Sequence, residues 1–243
     1  MPTLTDLNGM YINGAQVPAV YLNGVRHPIG VVQRYFTRID VSTKGFSLPS
    51  SIPLGSSSSV VRVRFAFVGS LSARTRPAFS SSTYIELDRF SNTIDFRYGN
   101  SGPSVDLVAH EALYDNGSIV EYELVYDGVN AEGFINGVSQ GSSPEAPGSE
   151  QIDTIFATGS SGSSVIYPLS VEAWSETTDT SLEPDFRCLF DSDGTGTEEV
   201  DVIGGNNPQR VGLASSDTEL FTFDSSSNSW KNSDESITLP VTY

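Results

Sequence analysis

Two carboxylates set two residues apart are the first group in this sequence that could do chemistry. Glu86 and Asp88 lie in the run Tyr84-Ile-Glu-Leu-Asp88, and the period of two in a strand puts both on one face. Hydrolysis of a glycosidic bond needs two carboxyl groups facing each other across a cleft. Here Arg89-Phe90-Ser91 follows, and no third acid continues the series. Polar residues alternating along a solvent-facing strand account for the pair without catalysis. Serine-based hydrolysis would need a histidine placed as a base. The chain has only His27 and His110, and neither is near a Gly-x-Ser-x-Gly run. No catalytic residue is assigned, and the expectation is a protein that is not an enzyme.

Oxygen ligands cluster further on. Asp191-Ser-Asp-Gly-Thr-Gly196 offers Asp191 and Asp193 before a glycine turn, with Glu198, Glu199 and Asp201 behind. Hard cations such as calcium bind several such oxygens, so Asp191 and Asp193 are the candidate metal ligands. The spacing is not that of an EF-hand, and a plain polar turn is the alternative. No other cofactor is indicated. Sugar binding would use aromatic platforms beside amides. Tyr98-Gly-Asn100, Tyr114-Asp-Asn116, Asn130 and Trp230-Lys-Asn232 are candidates, though each ring taken singly reads first as core or interface. Cys188, alone in the chain, sits in Phe186-Arg-Cys-Leu-Phe190 and reads as a small buried hydrophobe.

The elements that would position these groups are strands. Val61, Val63, Phe65 and Phe67 alternate with Arg62 and Arg64, and Val120, Tyr122, Leu124 and Tyr126 alternate with acids. Ile85 and Leu87 should face Ile94 and Phe96 across the Arg89–Asn92 turn. Asp127-Gly128 and Asn136-Gly137 supply turns after Tyr126 and Ile135. No stretch holds helical periodicity over three turns. The expected fold is all-β, a two-sheet antiparallel jelly-roll sandwich with an N-terminal hairpin arm and a β-rich C-terminal extension. The arm covers residues 1–33, the sandwich 34–178, and the extension 179–243, packed on the sandwich or on a neighbour. The net charge of −17 over 243 residues repels phosphate backbones and argues against nucleic acid as a partner. No apolar run reaches the length of a membrane span, and the first residues carry no secretory signal pattern.

Within the arm, Tyr11-Ile-Asn-Gly14 recurs as Tyr21-Leu-Asn-Gly24. Each Asn-Gly suits a hairpin turn, and so short a meander cannot bury a core of its own. It is either an extra layer on the sandwich or a docking module, for which Tyr11, Asn13, Gly14, Tyr21, Asn23 and Gly24 are the candidate residues.

The order of strand, Tyr126-Asp-Gly128, strand and Asn136-Gly-Val138 resembles the central signature of laminin-G/concanavalin-A-like domains. Tyr167-Pro-Leu-Ser-Val-Glu-Ala-Trp174 resembles their closing strand. The repeated Asn-Gly units of the arm resemble the N-terminal regions of some tailed-bacteriophage structural proteins. So does Leu189-Phe-Asp-Ser-Asp-Gly-Thr-Gly196 with Gly204-Gly-Asn-Asn207, as found beside laminin-G-like modules in phage proteins. The resemblance implies a non-enzymatic virion structural protein, a tail fibre or receptor-binding component or a head fibre. It would assemble in the host cytoplasm and be exposed on the particle surface. Its partners would be other virion proteins through the arm, host-surface glycan, and copies of itself, for which a trimer fits. A capsid decoration protein, and a bacterial surface lectin or glycanase, stay open as alternatives.

Overall fold

Burial on Ser59–Val68 shows how the layers arise. Val61, Val63, Phe65 and Phe67 are buried on one side of this strand, and Arg62 and Arg64 are half-buried on the other. At Ala66 and Val68 the second side also turns apolar, so one half of that face needs a cover of its own.

The computed structural model describes the chain except residues 1–9, 13–14, 18, 23–24, 29–32, 41–43, 69–73, 90, 111–117, 146–147, 149, 159–164, 193, 225 and 241–243. In chain order its strands begin with β1 (Met10–Ile12), β2 (Ala15–Val17), β3 (Ala19–Leu22), β4 (Val25–Pro28), β5 (Gln33–Thr37) and β6 (Gly45–Gly55). They continue with β7 (Ser59–Val68), β8 (Arg74–Phe79), β9 (Tyr84–Asp88), β10 (Thr93–Arg97), β11 (Ser104–Asp106), β12 (Ile119–Tyr126), β13 (Asn130–Ile135) and β14 (Val138–Pro144). The last are β15 (Glu150–Thr158), β16 (Val165–Ser175), β17 (Phe186–Leu189), β18 (Val200–Asp201), β19 (Gln209–Val211), β20 (Thr218–Asp224), β21 (Ser229–Asn232) and β22 (Thr238–Pro240).

Two seven-stranded antiparallel sheets form the sandwich. Sheet I runs β11-β10-β9-β8-β15-β6-β19, and sheet II runs β14-β13-β12-β7-β16-β17-β18. Between them Phe46, Ile85, Ile94 and Phe96 of sheet I meet Val63, Phe65, Tyr122 and Leu124 of sheet II. Ile94 pairs with Leu87 and Phe96 with Ile85, as the alternation predicts. The all-β jelly-roll sandwich expected from the sequence is the observed fold. The arm forms two hairpins, β1 with β2 and β3 with β4.

The β12–β13 hairpin depends on two local devices. Asp127 Oδ1 accepts the backbone N–H groups of Val129 at 2.8 Å and Asn130 at 2.7 Å, which holds this carboxyl below its ordinary pKa. Asn136 and Gly137 take φ of 49° and 75°, the left-handed pair that Asn-Gly adopts readily. At Gly133 the reason for glycine is space: a Cβ there would stand 2.4 Å from the Phe96 ring.

Sheet III, ordered β22-β21-β20-β5, is the cover. It packs Phe36, Phe221 and Leu239 on Ala66, Tyr167 and Leu169 of sheet II, with Phe36 and Phe221 edge-to-face at 4.9 Å. The strands beyond residue 178 are thus shared out. β17 and β18 extend sheet II, β19 extends sheet I, and β20–β22 pair with β5 to complete sheet III.

A buried ion pair ties these pieces together. Arg210 on β19 is 3.4 Å from Glu199, with side chains 3% and 0% exposed. Arg210 also donates to Thr218 Oγ1 on β20 at 2.7 Å and to Thr37 Oγ1 on β5 at 3.4 Å. The Thr37 hydroxyl donates in turn to Glu199 Oε1 at 3.4 Å. Burial pushes the Glu199 carboxyl above its ordinary pKa, against the pull of Ser192, Arg210 and Thr37.

A raised folded pKa means that the folded state holds this proton more tightly than the unfolded chain. The stability it contributes is full below the unfolded value and is lost as pH rises through the folded one. Arg210→Met leaves Glu199 without its cation and should cost about 3–5 kcal/mol. Urea unfolding should show the larger loss at pH 8 and a smaller one at pH 5, where Glu199 can take up a proton. Gly133→Ala should cost about 2 kcal/mol through overpacking, read as a lowered urea midpoint.

Candidate functional site

Sheet III covers sheet II, and among the described residues no third layer pairs across the outer face of sheet I. The pairing registers carry one row of residues across six strands of that face. Arg97 pairs with Tyr84, Tyr84 with Phe79, Phe79 with Thr154, Thr154 with Ser47, and Ser47 with Gln209. Directly paired residues share a face, so these six side chains line up across the strands. All six are half-buried.

Two rings stand at the centre of the row. Phe79 and Tyr84 lie with centroids 6.3 Å apart and planes at 32°. Arg76 covers the Phe79 ring at 4.3 Å and Arg97 the Tyr84 ring at 5.6 Å. The register slips between Thr75 and Ala78 in the β8–β9 pairing, where Pro77 cannot donate a ladder hydrogen bond. That bulge sets Arg76 beside Glu86, and the two form an ion pair. Burial lifts the Tyr84 phenol above its ordinary pKa, Glu86 and Asp95 add to the rise, and Arg97 opposes it. The phenol is therefore protonated near neutral pH, a hydrogen-bond donor rather than a base.

The carboxylates flank the row. Glu86 and Asp88 do share a face, but it is not a plain solvent-facing one: the two residues are 6% and 3% exposed. Asp95 pairs directly with Glu86 across β9 and β10, which places their Cβ atoms about 5 Å apart. Chemically, the face offers two ring platforms, guanidinium and phenol donors, and two neighbouring carboxyls beside them.

The other sequence candidates are placed as follows. Asp191 pairs with Arg34 at 3.6 Å, and Asp193 lies outside the described residues. Asp201 accepts four backbone N–H groups, from Arg187, Ile203, Gly204 and Asn206, at 3.0–3.2 Å. Glu199 belongs to the Arg210 pair. Among the described residues no group of three His, Cys, Asp or Glu side chains suited to a metal occurs. Tyr11 and Tyr21 lie in β1 and β3, while Asn13, Gly14, Asn23 and Gly24 fall outside the described residues.

Tyr98 is core, stacked on Tyr126 at 4.2 Å with its hydroxyl on Gly55 O. Asn130 completes the Asp127 turn, Tyr114 and Asn116 lie outside the described residues, and Trp230 is half-buried on β21. Cys188 is buried, and burial pushes its thiol up. Sequence reasoning missed Arg76, Phe79, Tyr84 and Arg97. Pro77 inside a strand was the available signal, because it marks the bulge that re-aims Arg76.

No protein-family model matches the sequence, and no curated protein matches it. Among solved structures, the chain is similar to the alginate lyase AlgAT5 of polysaccharide lyase family 7, with a TM-score of 0.36 and 12% identity. That alignment covers 51% of this chain and 62% of the lyase. It is also similar to the alginate lyase from Corynebacterium sp., with a TM-score of 0.31 and 13% identity over 51% and 61% of the two chains. This chain thus spans less than two thirds of either lyase.

The expectation of a non-enzymatic virion structural protein is corrected by this finding: both neighbours are named as alginate lyases, and neither as a virion protein. The physical reason for the error lies in sheet I. A face read as bare scaffold carries nearly buried carboxylates, an arginine ion pair and two ring platforms. A likeness at 12% and 13% identity with TM-scores of 0.36 and 0.31 carries no activity over, so any activity has to be argued from this chain's own residues.

Proposed function

We propose that this chain acts on a polysaccharide laid across the strands of sheet I. The observation that carries this reading is the continuous row from Arg97 to Gln209, with the Phe79–Tyr84 ring pair within it. Strands lie about 4.8 Å apart, so six of them present a track of about 24 Å, long enough for several sugar units. Aromatic rings offer an apolar face to sugar C–H groups, and Arg97, Thr154, Ser47 and Gln209 supply hydrogen bonds to hydroxyls along the track. Such a surface suits a polymer better than a compact ligand, because the groups repeat in one direction and enclose nothing. Glu86 and Asp95 are the groups this reading gives to bond cleavage.

The test is affinity electrophoresis through gels containing neutral or acidic polysaccharides, with release of reducing ends and of unsaturated products followed in parallel. At least one polysaccharide should retard the protein. Phe79→Ala/Tyr84→Ala should weaken retardation at least tenfold while the circular dichroism spectrum is unchanged. Glu86→Gln should lower product release at least tenfold. Failure of every polysaccharide to retard the protein, or full retardation of the folded double variant, would overturn the reading.

A further inference from the structure

Sheet III ends before it reaches the charged end of sheet II. At that margin a cleft of about 170 Å³ opens, lined by Arg34, Phe36, Arg64, Ser170 and Trp230 with leucine side chains between them. Its composition departs from that of the chain. Only 13 basic residues stand against 30 acidic ones, yet two arginines line this one small space.

Each guanidinium has one carboxylate neighbour, Asp191 for Arg34 and Glu121 for Arg64, and keeps further donors beyond it. Arg34 stacks on the Phe36 ring at 5.2 Å, and its nearest carboxylate is Asp191 at 3.6 Å. Its Nε is buried without a hydrogen-bond partner, which is costly unless something supplies one. Arg64 donates its Nε to Glu121 Oε2 at 2.5 Å, and among the described residues the other donors of its five-donor fork have no hydrogen bond. Guanidinium forks match the planar geometry of carboxylate and the oxygens of sulfate. Trp230 adds an indole held edge-on to Phe36 at 6.0 Å and to Phe223 at 5.5 Å, a rigid platform for one ring. Ser170 adds a hydroxyl.

We infer that this cleft binds a single anionic sugar unit, a pyranose bearing a carboxylate or a sulfate ester. The volume suits one ring rather than a chain, and the two cations select an anion against the repulsion of an otherwise acidic surface. The site shares no residue with the row on sheet I, so either proposal can fail without the other.

The full chain is titrated with glucuronic acid, N-acetylneuraminic acid, glucose 6-sulfate and, as the neutral control, glucose, while tryptophan emission is followed. The chain has two tryptophans. Trp174 is 2% exposed and donates its Nε1–H to Leu182 O at 2.9 Å, so the response should come from Trp230 and vanish in Trp230→Phe. At least one anionic sugar should give a saturable change that glucose does not, and added salt should weaken it. The carboxylate and sulfate arms show which anion is taken.

Arg34→Gln should raise Kd at least tenfold and Arg34→Lys less. Arg64→Gln should act in the same direction as Arg34→Gln, which covers the case of a poorly folded Arg34 variant. An equal response to glucose, no saturable response to any of the three anions, or unchanged affinity in both glutamine variants overturns the inference.

Discussion

The Arg210–Glu199 pair is the contact on which the arrangement of layers depends. It sits where β19 of sheet I comes closest to β5 and β20 of sheet III, and it is almost wholly out of water. Two charges removed from solvent are costly unless their remaining donors and acceptors are met. Here Thr37, Ser192 and Thr218 meet most of them. Apolar packing alone would let sheet III slide over Ala66 and Leu169, because hydrophobic contact has no direction. The ion pair and its hydroxyls give it one. The cleft beside Trp230 exists at a definite place because sheet III is held at a definite place.

Much of the sandwich could be read directly from side-chain alternation. Val61 to Phe67 and Val120 to Tyr126 each bury one face, and a period of two is enough to say which. The Asn136-Gly137 turn was equally plain, since few residue pairs tolerate two successive positive φ angles. Sheet III was harder. Its strands are short, and β5 pairs with β20, from nearly the opposite end of the chain, a partner that no local pattern specifies. The hint was present in Ala66 and Val68, where the polar side of β7 turns apolar, but the alternation ahead of it concealed the change.

The candidate site divides in the same way. Glu86 and Asp88 were visible as a pair because spacing alone reveals them. Their burial was not, because for Glu86 it depends on Arg76 being swung into place by a bulge at Pro77. The row from Arg97 to Gln209 draws one residue from each of six strands, and such a row is a product of register. Asp191 looked like a metal ligand by composition, whereas in the fold its neighbour is Arg34 and the acids behind it serve Arg210 and a backbone turn. Trp230 was recognised as a possible platform, but the arginines that give its cleft a charge lie on β5 and β7, far away in sequence.

The pairing of β5 with β20 also constrains how the molecule comes into being. β20 follows β5 only after the whole sandwich has been made, so during synthesis β5 lacks the neighbour it needs. Until β20–β22 arrive, Ala66, Tyr167 and Leu169 of sheet II have no cover, and an apolar strand face left open is prone to stray association. Non-local pairing of this kind is slow to form because a long loop must close first. The large acidic excess then has a use during biogenesis: by keeping unfinished chains apart, like charge protects them through the interval before the third sheet closes.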